Sequence, residues 1–218
     1  MFIGHFGTGL AAKKLDPKIS LGTLFFAAQF IDLLWPIFLL LGLEKVKIEQ
    51  GNTSFTPLNF ISYPYSHSLF GVLIWSLLFG SIYYLNRKNI KSALLLAALV
   101  MSHWILDLIS HKPDLQLIPW SEARVGLGLW NYVTASIVVE VLIYCVGAYF
   151  YVNSTKAKNR KGEIGMWGLL VFLAIVYLMN LSGSAPPSVN AIAIVGLFQW
   201  LIIAWAYWVD ANRNGVEV

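Results

Sequence analysis

The sequence predicts an all-α polytopic membrane protein with six transmembrane helices and a short, half-inserted helix near its N-terminal end. Of its 218 residues 58% are hydrophobic and only 12% are charged, whereas a soluble domain carries about 25% charged residues. The apolar residues fall in separate runs, most of them close to the roughly 20 residues that a helix needs to cross a bilayer. The expected partner is therefore the lipid bilayer. The net charge of +4 is spread over short loops, without a basic patch that would indicate nucleic-acid binding.

The first apolar run covers residues 1–12 and ends at Lys13 and Lys14. It is too short to span a bilayer, so we expect a half-inserted helix that holds His5 inside the protein. Lys13 and Lys14 are then expected at the surface, where Asp16-Pro17 supplies a turn.

Six longer apolar runs are predicted to be the spans, at about residues 21–41, 66–85, 92–109, 132–151, 165–181 and 189–209. A polar loop over residues 44–64 separates the first two. The third helix is expected to end near His111, because Pro113 disfavours helical geometry at the residue before it. The glycine-rich stretch 126–131 is predicted to be a tight turn into the fourth span.

The distribution of basic residues predicts the orientation. With the end that carries Lys13 and Lys14 inside, eleven of the fifteen Lys and Arg residues fall in cytoplasmic segments and four on the other side. By the positive-inside rule both termini are therefore cytoplasmic. The single cysteine, Cys145, rules out a disulfide within the chain.

Ionisable residues inside the apolar runs are the candidate functional residues, because charge within a membrane is costly and usually marks a site. His103 and Asp107 lie four residues apart, on one face of the third span. Asp32 lies within the first span, His67 begins the second, and Glu140 is inside the fourth. Depths counted along the helices place this group and His5 in one layer.

Imidazole and carboxylate ligands on a shared face suit a divalent metal ion, with zinc as the first choice. The predicted ligands are His5, Asp32, His67, His103 and Asp107. We expect Glu140 to be a ligand or a neighbour of the ligands. His111 and Asp114 are expected at the rim of this layer, in a solvated loop.

The order of these residues resembles the membrane-bound metal-dependent hydrolase family, which includes the YdjM- and YbcI-like inner-membrane proteins of bacteria. The motifs that carry the resemblance are Gly4-His5-x-x-x-Gly9, the lone Asp32, Ser66-His67-Ser68 and His103-x-x-Leu106-Asp107. They cover roughly residues 1–131. A more distant similarity is to zinc-dependent phospholipase C.

The resemblance implies a multi-pass protein of the bacterial inner membrane. It also implies that the five predicted ligands bind metal and that the substrate is a phosphoester or lipid-like molecule. The chain departs from the family where Asp32 stands alone in place of Pro-Asp-x-Asp, which removes a ligand for a second metal. It departs again where Tyr63-Pro-Tyr-Ser-His-Ser68 replaces His-Arg-Gly-x-Thr-His-Ser.

We therefore expect a single transmembrane domain over residues 1–218, with a metal-site core in residues 1–131 and supporting helices in residues 132–218. The expected activity is metal-dependent hydrolysis of an amphipathic or phosphoester substrate from the outer half of the bilayer. The catalytic residues are Asp32 and Glu140, and whichever of them is not a ligand is the general base. Two alternatives are a permease or ion-coupled transporter that uses the same His and Asp residues as a relay, and a structural membrane protein.

Overall fold

The computed structural model describes residues 1–216 as a helical bundle with short strand pairs at its ends. The helices are α1 (Ile3–Leu15), α2 (Leu21–Ala28), α3 (Phe30–Leu40), α4 (Leu69–Arg87), α5 (Ile90–Ser110), α6 (Val133–Asn153), α7 (Arg160–Ser182), α8 (Val189–Leu197) and α9 (Gln199–Ala211). The strands are β1 (Lys45–Ile48), β2 (Leu58–Ser62), β3 (Leu115–Gln116), β4 (Arg124–Val125), β5 (Thr155–Ala157) and β6 (Arg213–Gly215).

The helices account for five or six membrane spans within the described residues. Helices α4, α5, α6, α7 and the combined run Val189–Ala211 are each long and apolar enough to cross a bilayer. Helices α2 and α3 pass the same test as a pair, with a bend of 55° between them, and they form a sixth span if counted together. This confirms the predicted all-α polytopic fold, with α1 as the short additional helix.

The bend between α2 and α3 falls at Gln29, a residue with 0% exposure. In an unbroken helix the carbonyl of Ala28 would accept a hydrogen bond from the amide of Asp32, four residues later. At the break this carbonyl accepts a hydrogen bond from the His103 side chain on α5 instead. The bend therefore affects two predicted site residues. It sets the position of Asp32, and it leaves the Ala28 carbonyl free to accept the hydrogen bond from His103.

Helix α1 lies inside the bundle, in close contact with α6. A Cβ added to Gly147 on α6 would lie 2.1 Å from the carbonyl oxygen of Gly7 on α1, so the two backbones touch. Small residues allow this kind of approach between membrane helices. One expectation for α1 was wrong: Lys13 is buried, and its Nζ lies 2.8 Å from Oδ2 of Asp210 on α9. Burial of this lysine is possible because it has a carboxylate partner.

The predicted polar loop over residues 44–64 contains a β-hairpin, which corrects that expectation. Strands β1 and β2 pair antiparallel, with Val46 opposite Phe60. These two side chains are buried against Trp35 and Tyr63. Every second residue of a strand faces the same side, so a four-residue and a five-residue strand bury few apolar residues and leave a weak sequence signal.

The remaining strand pairs connect helix ends. Strands β5 and β6 pair antiparallel and connect the end of α6 to the end of α9. Strands β3 and β4 form a short pair after α5. The predicted turn at residues 126–131 is present, since Gly128 has a φ of +75° and starts a short 3-10 turn. Its amide and that of Leu127 donate hydrogen bonds to the carbonyls of His111 and Leu108 at the end of α5.

Candidate metal centre

The five predicted ligands meet in one buried group. His5 comes from α1, Asp32 from α3, His67 from the turn before α4, and His103 and Asp107 from α5. Four of them are at most 4% exposed, while the side chain of Asp32 is 24% exposed.

Asp107 is at the centre of the group. Its Oδ1 lies 3.1 Å from Nε2 of His5, and its Oδ2 lies 3.2 Å from Nε2 of His103 and 3.7 Å from Nε2 of His67. Oδ1 of Asp32 lies 3.5 Å from Nε2 of His67 and 3.6 Å from Nε2 of His103. Two overlapping triads, His5–His103–Asp107 and Asp32–His67–His103, each keep their ligand atoms within 4.8 Å of one another.

The tautomer of His103 follows from its hydrogen bond. Its Nδ1 lies 2.8 Å from the carbonyl oxygen of Ala28, and a carbonyl only accepts, so Nδ1 carries the hydrogen. In the neutral ring Nε2 then has a lone pair. This Nε2 is buried and has no hydrogen-bond partner in the described residues, although Oδ2 of Asp107 is 3.2 Å away.

A second chain of hydrogen bonds decides the tautomer of His67. The Ser66 hydroxyl donates to Oε2 of Glu44 at 2.6 Å, and the hydroxyl oxygen of Ser66 lies 2.7 Å from Nδ1 of His67. Because the hydroxyl hydrogen points to the carboxylate, Ser66 Oγ accepts from Nδ1, and Nε2 of His67 also has a lone pair.

When both rings are neutral, two imidazole lone pairs face two carboxylate oxygens, an arrangement that is repulsive unless a proton or a metal cation lies among them. Zinc binds imidazole nitrogen and carboxylate oxygen at about 2.0–2.2 Å, so a tetrahedral site separates its ligand atoms by roughly 3.3–3.6 Å. The four separations that join Nε2 of His67 or His103 to a carboxylate oxygen of Asp32 or Asp107 run from 3.2 to 3.7 Å. Within the described residues these ligand atoms form the two triads, and each triad offers three ligands to a divalent ion.

His5 is placed on the other side of Asp107. Its ring stacks on that of His103, with the centroids 3.6 Å apart and the planes at 5°. The amino group of Met1 lies 3.1 Å from Nε2 of His5 and 2.7 Å from Oδ1 of Asp107. Sequence reasoning did not include this amine, because a backbone group leaves no signal in residue types.

Glu140 holds the start of α1. Its Oε2 accepts hydrogen bonds from the amides of Phe2, at 2.8 Å, and of Gly4, at 3.3 Å. The carboxylate thus satisfies amides that the first turn of a helix leaves free. Its Oε1 is buried without a partner in the described residues, and Glu140 lines the same cavity as Asp32 and Asp107.

The expectation that His111 and Asp114 lie in a solvated loop was wrong. They are 3% and 5% exposed, and Nδ1 of His111 lies 3.0 Å from Oδ1 of Asp114. The hydroxyl of Tyr63 donates to the same oxygen at 2.7 Å. Burial, together with the Asp114 carboxylate, holds the pKa of Tyr63 well above its ordinary value, so it remains a donor at neutral pH. The hairpin covers these residues, which is why they are not solvated.

Glu44 is a further buried carboxylate that the sequence did not single out. Burial raises the pKa of Glu44, while hydrogen bonds from the Ser66 hydroxyl and from the amides of Ser66 and Tyr65 favour its ionised form. A glutamate in a polar loop is ordinary in sequence, so only its burial in the structure distinguishes it.

A cavity of about 570 Å³ adjoins the group and is lined by Asp32, His67, Asp107, His111 and Glu140. Two of the residues that line it, Trp35 and Tyr177, each carry a buried donor, the indole Nε1 and the hydroxyl, without a partner in residues 1–216. The remaining walls are largely apolar and come from the hairpin, the end of α7 and α8. The cavity thus has ionisable residues of the candidate metal centre on one side and largely apolar walls elsewhere.

The YdjM inner membrane protein family matches residues 56–185, more than half of the chain. The chain belongs to this family. Membership in the YdjM family, together with the apolar helices, makes it a multi-pass protein of the inner membrane. The match contains His67, His103, Asp107 and Glu140, begins after Asp32, and runs past the end of α7, beyond the end expected near residue 131. No curated protein and no solved structure matches the chain.

Proposed function

We propose that this YdjM-family protein is a membrane-embedded, metal-dependent hydrolase that acts on a phosphoester or lipid-like substrate. The observation that supports the proposal most strongly is the convergence of the His67 and His103 lone pairs on oxygens of Asp32 and Asp107. Imidazole and carboxylate ligands at these spacings favour zinc. In this proposal residues 1–131 are the metal-site core, and residues 132–218 support it.

The proposed ligands are His67, His103, Asp32 and Asp107. His5, on α1, joins this group through Asp107, whose Oδ1 lies 3.1 Å from its Nε2. When bound, the ion would polarise a phosphoryl or carbonyl oxygen and lower the pKa of a water molecule. With Asp32 assigned to the ligands, Glu140 is the general base. Glu140 lines the cavity, and its Oε1 has no hydrogen-bond partner in the described residues, so we assign this oxygen to take the proton of a nucleophilic water, while Oε2 is held by the amides of α1.

The cavity supports an amphipathic substrate. Its apolar walls can accept a chain, and the unpartnered donors of Trp35 and Tyr177 can bind the oxygen atoms of a head group. The hairpin, the end of α7 and α8 contribute to its walls, and in this proposal, which follows the positive-inside rule, the cavity lies in the outer half of the bilayer.

Packing favours a hydrolase over a transporter relay. Phe6, Leu10, Leu24 and Phe25 are each 0% exposed, and they fill the bundle between the ligands and the basic end of α1. Alternating access needs a path to both faces in turn. A site packed on one face is the arrangement expected of an enzyme that receives and releases its substrate on the other.

Elemental analysis of the purified protein tests the proposal. We expect close to one zinc per chain in the wild type, and a loss of most of it in Asp107→Asn and His103→Ala, because each removes a ligand from the shared group. The matched control is Asp210→Asn, which changes a partly buried aspartate that pairs with Lys13 outside the group. Wild-type protein without a bound transition metal, or an Asp107→Asn variant that keeps its full zinc content, would contradict the proposal.

A further inference from the structure

The carboxylate of Glu44 is buried near the candidate metal centre without touching it. Glu44 is 2% exposed, and no Lys or Arg nitrogen lies within 4.0 Å of its carboxylate in residues 1–216. Removing such a group from water without a cation costs free energy. Three hydrogen bonds compensate for this burial, and all three come from residues 65 and 66, directly before His67.

We propose that Glu44, acting through Ser66, is a positioning residue that keeps His67 in the tautomer able to bind a metal ion. The inference rests on the proposed function, since it treats His67 as a ligand. Metal-binding histidines usually have their second ring nitrogen fixed by a hydrogen bond, and loss of that partner weakens metal binding. Here the fixing partner is a serine hydroxyl, and the orientation of that hydroxyl depends on Glu44.

The direction of the hydrogen bonds from His67 through Ser66 to Glu44 follows from the carboxylate oxygens of Glu44, which only accept. Oε1 of Glu44 accepts from the amides of Tyr65, at 2.9 Å, and of Ser66, at 2.8 Å, and Oε2 accepts from the Ser66 hydroxyl. Because the Ser66 hydroxyl donates its hydrogen bond to Glu44, its oxygen can only accept from Nδ1 of His67, 2.7 Å away. The lone pair of Nε2 is thereby directed at Asp32 and Asp107.

Glu44→Gln should reverse this chain at nearly constant volume. The two backbone amides require an oxygen, so the amide oxygen of glutamine would take the place of Oε1, and its NH₂ group would face Ser66. Ser66 would then accept from the glutamine and donate to Nδ1 of His67. The hydrogen of the imidazole would move to Nε2, where it blocks metal binding.

The first test measures Zn²⁺ affinity in detergent micelles by competition with a chelator. We expect Glu44→Gln and Ser66→Ala to bind Zn²⁺ about 10–100-fold more weakly than the wild type, the usual effect of losing the partner of a ligand. The control is Glu49→Gln, which changes an exposed glutamate at the hairpin whose carboxylate accepts a hydrogen bond from Asn59, away from Ser66 and His67. Its affinity should equal that of the wild type.

The second test reads the tautomer directly in metal-free protein by ¹⁵N NMR of labelled histidines, with His67→Gln to assign the signal. The wild type and Glu49→Gln should show hydrogen on Nδ1, and Glu44→Gln should show it on Nε2, which a merely structural role for Glu44 would not produce. An unchanged tautomer together with unchanged Zn²⁺ affinity would overturn the inference. A wild type that binds no Zn²⁺ would instead overturn the proposed function, and the NMR result would still decide the tautomer. If Glu44→Gln does not fold, Ser66→Ala tests the same relay, and wild-type Zn²⁺ affinity in that variant would refute it.

Discussion

His103 and His67 each have one ring nitrogen fixed by a partner outside the ligand group. For His103 the partner is the Ala28 carbonyl, and for His67 it is the Ser66 hydroxyl. That the candidate ligands come together could be predicted, because a histidine or an aspartate stands out in an apolar run. Ser66 and Glu44 could not, because polar residues in a polar segment are ordinary.

Tyr63 is another residue that the sequence did not single out, and its contact with Asp114 supports a prediction. Its hydroxyl donates to Asp114, so Tyr63→Phe leaves a buried carboxylate with one donor fewer. We expect a loss of about 1–3 kcal/mol in the free energy of unfolding, measured by thermal unfolding in detergent. Tyr65→Phe is the control, because that side chain is 51% exposed. Equal stability of the two variants would show that Asp114 does not need the hydroxyl.

The raised pKa of Tyr63 also sets the pH dependence of this contribution. A group that holds its proton more tightly in the folded protein stabilises it fully below the unfolded pKa, about 10 for tyrosine. The stabilisation is lost only as the pH rises through the folded value, which lies well above that. The stability difference between wild type and Tyr63→Phe should therefore be the same at pH 6 and pH 9.

At the scale of elements, α1 is held by close contact of its backbone with α6. An added methyl group on Gly147 would meet the carbonyl of Gly7, and one on Gly7 would lie 2.7 Å from the carbonyl oxygen of Ile143. His5 lies on the same helix, close to this contact, and Glu140 on α6 holds the helix start. The position of His5 thus depends on the contact between α1 and α6.

Gly147→Ala tests this dependence. The methyl group should force the helices apart and lower the stability by about 1–3 kcal/mol, the usual cost of overpacking. It should also reduce the zinc content, because His5 moves with α1. Gly168→Ala on α7 is the control, since its new Cβ would lie 3.4 Å from Trp205, an ordinary contact. If Gly147→Ala keeps the zinc content of the wild type, the position of His5 does not affect metal binding.

The helices could be predicted with good bounds because apolar runs of bilayer length are a strong signal. The start of α4 at Leu69 and the end of α5 at Ser110 are close to the expected positions. The three strand pairs and the bend at Gln29 could not be predicted. The strands have two to five residues each, too few to show an alternating pattern.

For the whole molecule, the side of the membrane that the cavity faces determines which substrates can reach it. The basic residues predict that the hairpin, which forms part of the cavity wall, faces outward, with Lys45 and Lys47 among the few basic residues on that side. A substrate would then enter from the outer leaflet or from the space beyond it.

Cysteine labelling in intact cells tests this orientation. In a Cys145→Ser background, a membrane-impermeant maleimide should label Lys47→Cys in the hairpin without permeabilisation. It should label Lys161→Cys, at the start of α7, only after the membrane is opened. Both positions are exposed, so a difference in labelling reports the side of the membrane and not burial. The reverse pattern would place the cavity toward the cytoplasm.

The bend at Gln29 has a consequence for genetics. The kink leaves the Ala28 carbonyl available to His103. A mutation that straightened the helix here would remove this hydrogen bond, and the His103 tautomer with hydrogen on Nδ1 would no longer be favoured, although no candidate ligand had been changed. A saturation screen for inactive alleles should therefore find hits at positions 28 and 29, two uncharged sites that a search limited to acids and histidines would pass over.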